Sequence, residues 1–322
     1  MKETLLSISS PFGGTVSLCK NSWESGASPD SILSIVSGMH GDQVNGLYIN
    51  SLLTRFLDGV AANKEPGFKL TGRVQIFPVV NIHAVQSGER LWSFDDLDLD
   101  LAFPGNEKGE VAEQITRSLF THTADSTHAI VLKTAHHHYD DAPHIQLYDP
   151  DRPTKRMAEC LGLEVVQELS QTPTFKVSLF SHWLENNVHA LILSAGKPGA
   201  LDRALGDSLF GGLVELMIHT GVLSFTQKKK DKTELQIYPV NGQHRIVSSH
   251  AGMFIPEVSV GSFLKQGQKL GELREIYSGE TLEEYCSPKD GYLVTLRHYP
   301  VMFEKEPVAT LLTDKKQGFW PF

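Results

Sequence analysis

Residues 31–46 constrain the fold of this chain more tightly than any other stretch. Residues 31–37 (SILSIVS) are largely apolar and end in Gly38-Met39-His40-Gly41, and residues 46–57 follow with apolar side chains at helical spacing (Leu47, Leu52, Leu53, Phe56). A short apolar run closed by glycines reads as a buried strand, and the period change after it reads as a helix. His40 is therefore expected at the carboxyl end of a strand, in the strand-to-helix corner where open α/β sheets place their ligand sites. A Glu three residues after such a His would give zinc a nitrogen and a carboxylate from one turn. Position 43 holds Gln instead, a neutral amide and a poor zinc ligand.

The pattern continues along the chain. Residues 74–80, 129–132, 177–180 and 190–193 read as further strands, and residues 45–57, 111–120, 153–161 and 208–220 as helices. Short buried strands interleaved with helices predict an α/β domain with a largely parallel sheet flanked by helices. After Lys228-Lys229-Lys230-Asp231-Lys232 the character changes to short β-type runs broken by Gly and Pro. That predicts a small all-β module, with the boundary between residues 225 and 234; we place the α/β domain at 1–228 and the β module at 229–322.

Composition narrows the partners. The 322 residues carry a formal net charge of −9, which argues against nucleic acid as a general partner. The basic run at 228–232 reads as a solvated hairpin or linker. Cys19, Cys160 and Cys286 lack metal or redox spacing, as expected of a reduced, cytoplasmic protein. No apolar stretch is long enough to span a bilayer, and no membrane partner is expected.

Five motifs in order, over residues 31–307, give a resemblance to the succinylglutamate desuccinylase/aspartoacylase family, which is similar to zinc carboxypeptidases. They are the Gly38–Gly46 turn, Asn81 to Gly105, Val131-Leu132-Lys133-Thr134 through Pro143-His144-Ile145, Ala190 to Gly196, and the β segments around Gly252-Met253-Phe254 and Lys265-Gln266-Gly267. The resemblance implies a zinc-carboxypeptidase-like α/β fold with a C-terminal barrel-sandwich-like module, and zinc-dependent amide hydrolysis. It also shows what this chain has changed. His40 stands at a zinc-ligand position, Gln43 replaces the ligand Glu, and Lys133 replaces the third ligand, a His. Ser194 stands where the general-base Glu is expected. Asp100-Leu101 replaces an Asn-Arg pair that grips a substrate carboxylate, while Arg90 and Asp98 match.

These losses act together. A catalytic zinc needs three protein ligands and a base for its water. Gln43 supplies no anion, the ammonium of Lys133 repels a cation, and Ser194 is no base near neutral pH. The reading that follows is a degenerate deacylase acting as a binding or regulatory subunit, with no cofactor, beside an intact paralogue or as a homo-oligomer. Lys133 is expected to take the space of the metal, partnered by Asp98 or Asp100. With Asp100 and Leu101 in place of the clamp, the remaining pocket, with Arg90, Asp98, Asp100 and Lys133, should reject dicarboxylates and favour a small neutral or cationic ligand. The alternative is an active zinc hydrolase with a rebuilt site, in which His136 and His138 of the His136-His137-His138-Tyr139-Asp140-Asp141 segment join His40. That segment otherwise reads as an exposed polar loop.

Overall fold

The computed structural model describes residues 2–26, 29–226 and 233–314. The expected 228/229 boundary and the basic run at 228–232 lie outside the described residues. The strand Ile32–Val36 is buried at every position, as a strand covered on both faces must be. It lies between Arg73–Phe77 and His128–Lys133, with His189–Gly196 beyond, and all four run parallel. Alternation then sends side chains to two faces. Leu33, Ile35, Ile76, Leu132 and Leu193 meet Ile49, Leu53 and Leu57 of the helix Val44–Ala61 and Leu213 and Met217 of Arg203–His219. On the other face Val36, Phe77, Val131 and Ile192 pack against Ile115 and Leu119 of Val111–Thr123 and Trp183 of Leu179–Glu185.

This is the expected α/β architecture, with a sheet made mixed at both sides. The N-terminal hairpin Lys2–Ser9 and Thr15–Glu24 adds antiparallel to Arg73–Phe77. Tyr139–Tyr148 adds antiparallel to His189–Gly196 and carries Val165–Leu169 beside it. Helix starts follow their caps: the Asp202 carboxylate accepts from the Leu205 amide, and Glu110 and Glu113 form a capping box.

Residues 177–180 are not a strand. Pro173–Val177 is a 3₁₀ turn, and the Ser178 hydroxyl accepts from the Ser181 amide to open the helix Leu179–Glu185. The apolar run there is the buried face of that helix, with Leu179, Phe180 and Trp183 at helical spacing.

The C-terminal β segments form two layers. Gly291–Arg297, Pro307–Leu312 and Gln243–Val247 extend the main sheet itself, because Arg297 and Thr295 pair with Tyr139 and Asp141. A four-stranded sheet of Thr281–Cys286, Lys269–Arg274, Gly252–Pro256 and Val301–Met302 lies over them. Phe254, Leu273, Tyr285, Val308 and Leu311 share the core between the layers. The β module thus forms a wall directly beside the carboxyl ends of His128–Lys133 and His189–Gly196.

Candidate functional site

Two glycines shape the corner after Ile32–Val36. Gly38 has φ of +64°, and a Cβ on it would lie 3.0 Å from the Val79 Cα. Gly41 is more confined: a Cβ there would stand 2.0 Å from the backbone of Ala84 and 2.3 Å from the Glu89 carbonyl. Its N–H donates to the Arg90 carbonyl at 3.3 Å. The turn is therefore pressed against residues 84–90, and His40, Asp42 and Arg90 converge.

His40 is buried, and both its ring nitrogens are engaged. Nε2 lies 2.8 Å from Asp98 Oδ1, and Gln43 Nε2 lies 3.0 Å from Nδ1. An ionised carboxylate can only accept, so Nε2 carries the proton, and the Gln43 amide donates to Nδ1. Asp98 also accepts from the Asp100 amide at 3.0 Å. Burial works to raise the Asp98 carboxyl, but the hydrogen bond from His40, that amide and the Arg90 charge outweigh it and hold it at about 2. Asp100 makes a short ion pair with the Lys133 ammonium. Burial again opposes ionisation, and the Lys133 charge overcomes it, so Asp100 is lowered as well.

The zinc ion implied by the resemblance can be tested on this donor set. Among the described residues one trio, His40, Asp98 and Asp100, brings its ligand atoms within 4.8 Å of one another. Each member already has a partner, and the cation on Asp100 is an ammonium. A metal would have to expel Lys133 and take the His40 lone pair from Gln43. The residues at the implied positions do not fit a zinc ion.

Ser194, at the implied base position, is buried and donates to Asp141 Oδ2 at 2.7 Å. Thr295, from the β module, donates to the other oxygen at 2.7 Å. Asp141 thus ties the two parts of the chain together. It belongs to the strand Tyr139–Tyr148, so the expected polar loop extends only to His138. His144 is buried in the same strand, its Nδ1 donating to the Ala142 carbonyl and its Nε2 accepting from Gln146.

Neither proposed replacement ligand, His136 or His138, belongs to the trio of His40, Asp98 and Asp100. His136 is exposed at a cavity rim, its pKa lowered by partial burial and by Arg90. His138 stacks on Tyr299 at 5.0 Å between ring centroids. The His138 ring is thus engaged on the β-module side, while His136 remains within electrostatic reach of Arg90, His40 and Asp42. Arg90 lies 4.0 Å from Asp42, a buried residue whose carboxylate oxygens make no hydrogen bond. Sequence reading missed Asp42, Asp141 and the β-module wall. Ile145 and Leu147 are buried between the less buried Gln146 and Tyr148, a period of two that marks the strand, but an irregularity between Asp141 and His144 breaks it before it reaches Asp141.

Lys133, Ser194, Asp141 and His136 line a cavity of about 720 Å³ closed by the β module. Its size is that of a small-molecule site.

No family model matches the chain. It is 24% identical over 288 residues to the N-alpha-acetyl-L-2,4-diaminobutyric acid deacetylase of Halomonas elongata, covering 84% of this chain and 78% of that protein. The solved succinylglutamate desuccinylase/aspartoacylase of Rhodobacter sphaeroides superposes with a TM-score of 0.78 at 20% identity, over 95% of this chain and 91% of that one. The product-bound ectoine utilization protein EutE (DoeB) of Ruegeria pomeroyi gives 0.80 at 19% identity, over 95% and 92%. This is the succinylglutamate desuccinylase/aspartoacylase fold. The β module is part of that likeness, since the matches run nearly end to end. No helix among the described residues is long and apolar enough to cross a membrane.

Proposed function

We propose that this chain is a deacylase-fold protein that has given up metal-dependent amide hydrolysis and works as a binding or regulatory subunit. The observation that carries this reading is the Lys133–Asp100 ion pair at the implied metal position, with Gln43 donating to the lone pair of His40. A cation supplied by the chain itself makes a bound metal redundant and repels one that approaches. Ser194, held by Asp141, cannot replace the lost carboxylate base. In this role the chain acts in the cytoplasm, as its cysteine usage suggests, as a homo-oligomer or beside a paralogue that keeps the complete ligand set.

Elemental analysis of untagged protein tests the reading, together with incubation with N-acetyl-2,4-diaminobutyrate and N-acetylaspartate. The expected outcome is far less than one zinc per chain after zinc is added and dialysed away, and no product. Stoichiometric zinc that disappears in His40→Ala, with turnover, would overturn it.

A second reading keeps the chain an active zinc hydrolase. The closeness of His40, Asp98 and Asp100 favours it, with Lys133 displaced. It predicts that Asp98→Asn and Asp100→Asn each abolish metal binding, whereas His136→Ala and His138→Ala leave it intact.

A further inference from the structure

The cavity beside Lys133 has two walls of different origin. The α/β side contributes Lys133, Ser194, Gln146 and Gln167, and the β module contributes Gln243, Arg245, Thr295 and Thr310. Three carboxamides form a chain across the seam. Gln146 donates to Gln167 at 3.4 Å, Gln167 donates to Gln243 at 2.9 Å, and Gln243 donates to the Glu168 carbonyl at 2.6 Å. Their orientations are thereby fixed, leaving the Gln146 carbonyl oxygen and one Gln167 N–H for a ligand. The hydroxyls of Ser194 and Thr295 give their protons to Asp141 and present lone pairs. This floor suits a molecule with several hydroxyl groups, each able to donate and accept.

The charges decide the rest. Lys133 is neutralised by Asp100, and both oxygens of Asp141 are taken. Arg245 is an exposed guanidinium on the cavity wall with no carboxylate partner among the described residues. In a protein of net charge −9, an unpaired guanidinium at a polar cavity stands out. Its fork matches one carboxylate in a bidentate arrangement. No second unpaired cation among the described lining residues is available for another. Asp100 and Leu101 alone argue for a neutral or cationic ligand. Arg245, brought in from about 150 residues away by the fold, reverses that expectation at the opposite wall.

We propose that this cavity binds a small polyhydroxy monocarboxylate, its carboxylate on Arg245 and its hydroxyl chain along the Gln146–Gln167–Gln243 row and the Ser194 and Thr295 hydroxyls. The inference deepens the non-hydrolytic reading and rests on it for the site staying free of metal.

The test is calorimetric titration of the full chain in EDTA with gluconate, glucose and N-acetylaspartate, repeated on Arg245→Ala, Arg245→Lys and Thr310→Val. Gluconate should bind, glucose and N-acetylaspartate should bind at least 10-fold more weakly, and Arg245→Ala should weaken gluconate by about 10- to 100-fold, the range for losing a charge-assisted hydrogen bond. Arg245→Lys should recover only part of the loss, and Thr310→Val should cost a few-fold. Arg245 is exposed, so its variants should keep the wild-type circular dichroism. Absence of gluconate binding, or binding indifferent to Arg245, overturns the site. Failure of the non-hydrolytic reading would appear separately, as zinc in elemental analysis and product from N-acetylated substrates.

Discussion

At the residue scale, the chemistry turns on side chains that answer one another. Lys133 and Asp100 are mostly buried, with side chains 23% and 17% exposed. Removing one partner leaves the other charge uncompensated, which costs more than the intact pair contributes. Lys133→Ala should therefore lower stability by about 2 kcal/mol, discounted for the partial exposure, while Lys133→Met with Asp100→Asn should recover most of it. Urea denaturation of the three proteins measures this, and equal midpoints for the single variant and wild type would count against the pair. A second residue gives a pH signature. Burial first, then the nearby charges of His189 and His219, lower His128 from 6.5 to about 4. In the unfolded chain His128 takes up its proton near 6.5, so between the two values the unfolded state binds more protons. The contribution is therefore complete above pH 6.5 and is lost as pH falls toward 4, amounting to about 2 kcal/mol after allowance for partial exposure. The difference in unfolding free energy between wild type and His128→Gln, followed from pH 7.5 to 4.5, should shrink across that window. His40, Gln43, Lys133 and Ser194 were legible in the sequence because each sits at or just beyond a strand end inside a local motif. Asp141 and Arg245 were not, because their meaning depends on strands that meet only in the folded sheet.

At the element scale, the corner between Ile32–Val36 and Val44–Ala61 is the most demanding structure in the site. Gly41 is held against the backbone of Ala84 and Glu89, and backbone cannot turn aside as a flexible side chain can. Gly41→Ala should cost about 3 kcal/mol or more, as overpacking against fixed neighbours does. It should also shift the His40 and Arg90 resonances in NMR spectra. A Gly41→Ala protein with wild-type stability would show that the turn yields easily. The main helices were readable because caps and a 3.6-residue period are local signals. The helix Leu179–Glu185 was misread because its seven residues span only two turns, too few to separate a helical period from a buried strand. Tyr139–Tyr148 was missed for the opposite reason. It begins with Tyr-Asp-Asp, and one of the polar residues that suggested a loop, Asp141, is the one turned inward to Ser194 and Thr295.

At the scale of the whole molecule, composition announced two modules, and the sheet joins them. Tyr139–Tyr148 pairs with Gly291–Arg297, and Val165–Leu169 takes Gln236–Tyr238 as a parallel neighbour. Val165, Tyr238, Val294 and Leu312 form one buried cluster across the junction. Arg297, 1% exposed, donates to the Tyr299 and Val301 carbonyls and pairs with Glu306, so a charge is locked into the seam on the β side. Separating the modules would bare two strand edges and the apolar cluster, the combination that drives edge-to-edge aggregation. A chain ending at residue 226 should therefore be insoluble or aggregate, although it retains His40, Asp98, Asp100, Lys133 and Ser194. The full chain should unfold in one transition, with tryptophan fluorescence and far-ultraviolet circular dichroism coincident in urea. Three of the four tryptophans, Trp23, Trp92 and Trp183, report from the α/β side, and a Trp320→Phe background confines the fluorescence to them, whereas circular dichroism sees both modules. Two separated transitions, or a soluble, cooperatively folding 1–226 fragment, would show that the β module is an appended cover. It would then be a poor candidate for the second wall of a binding site.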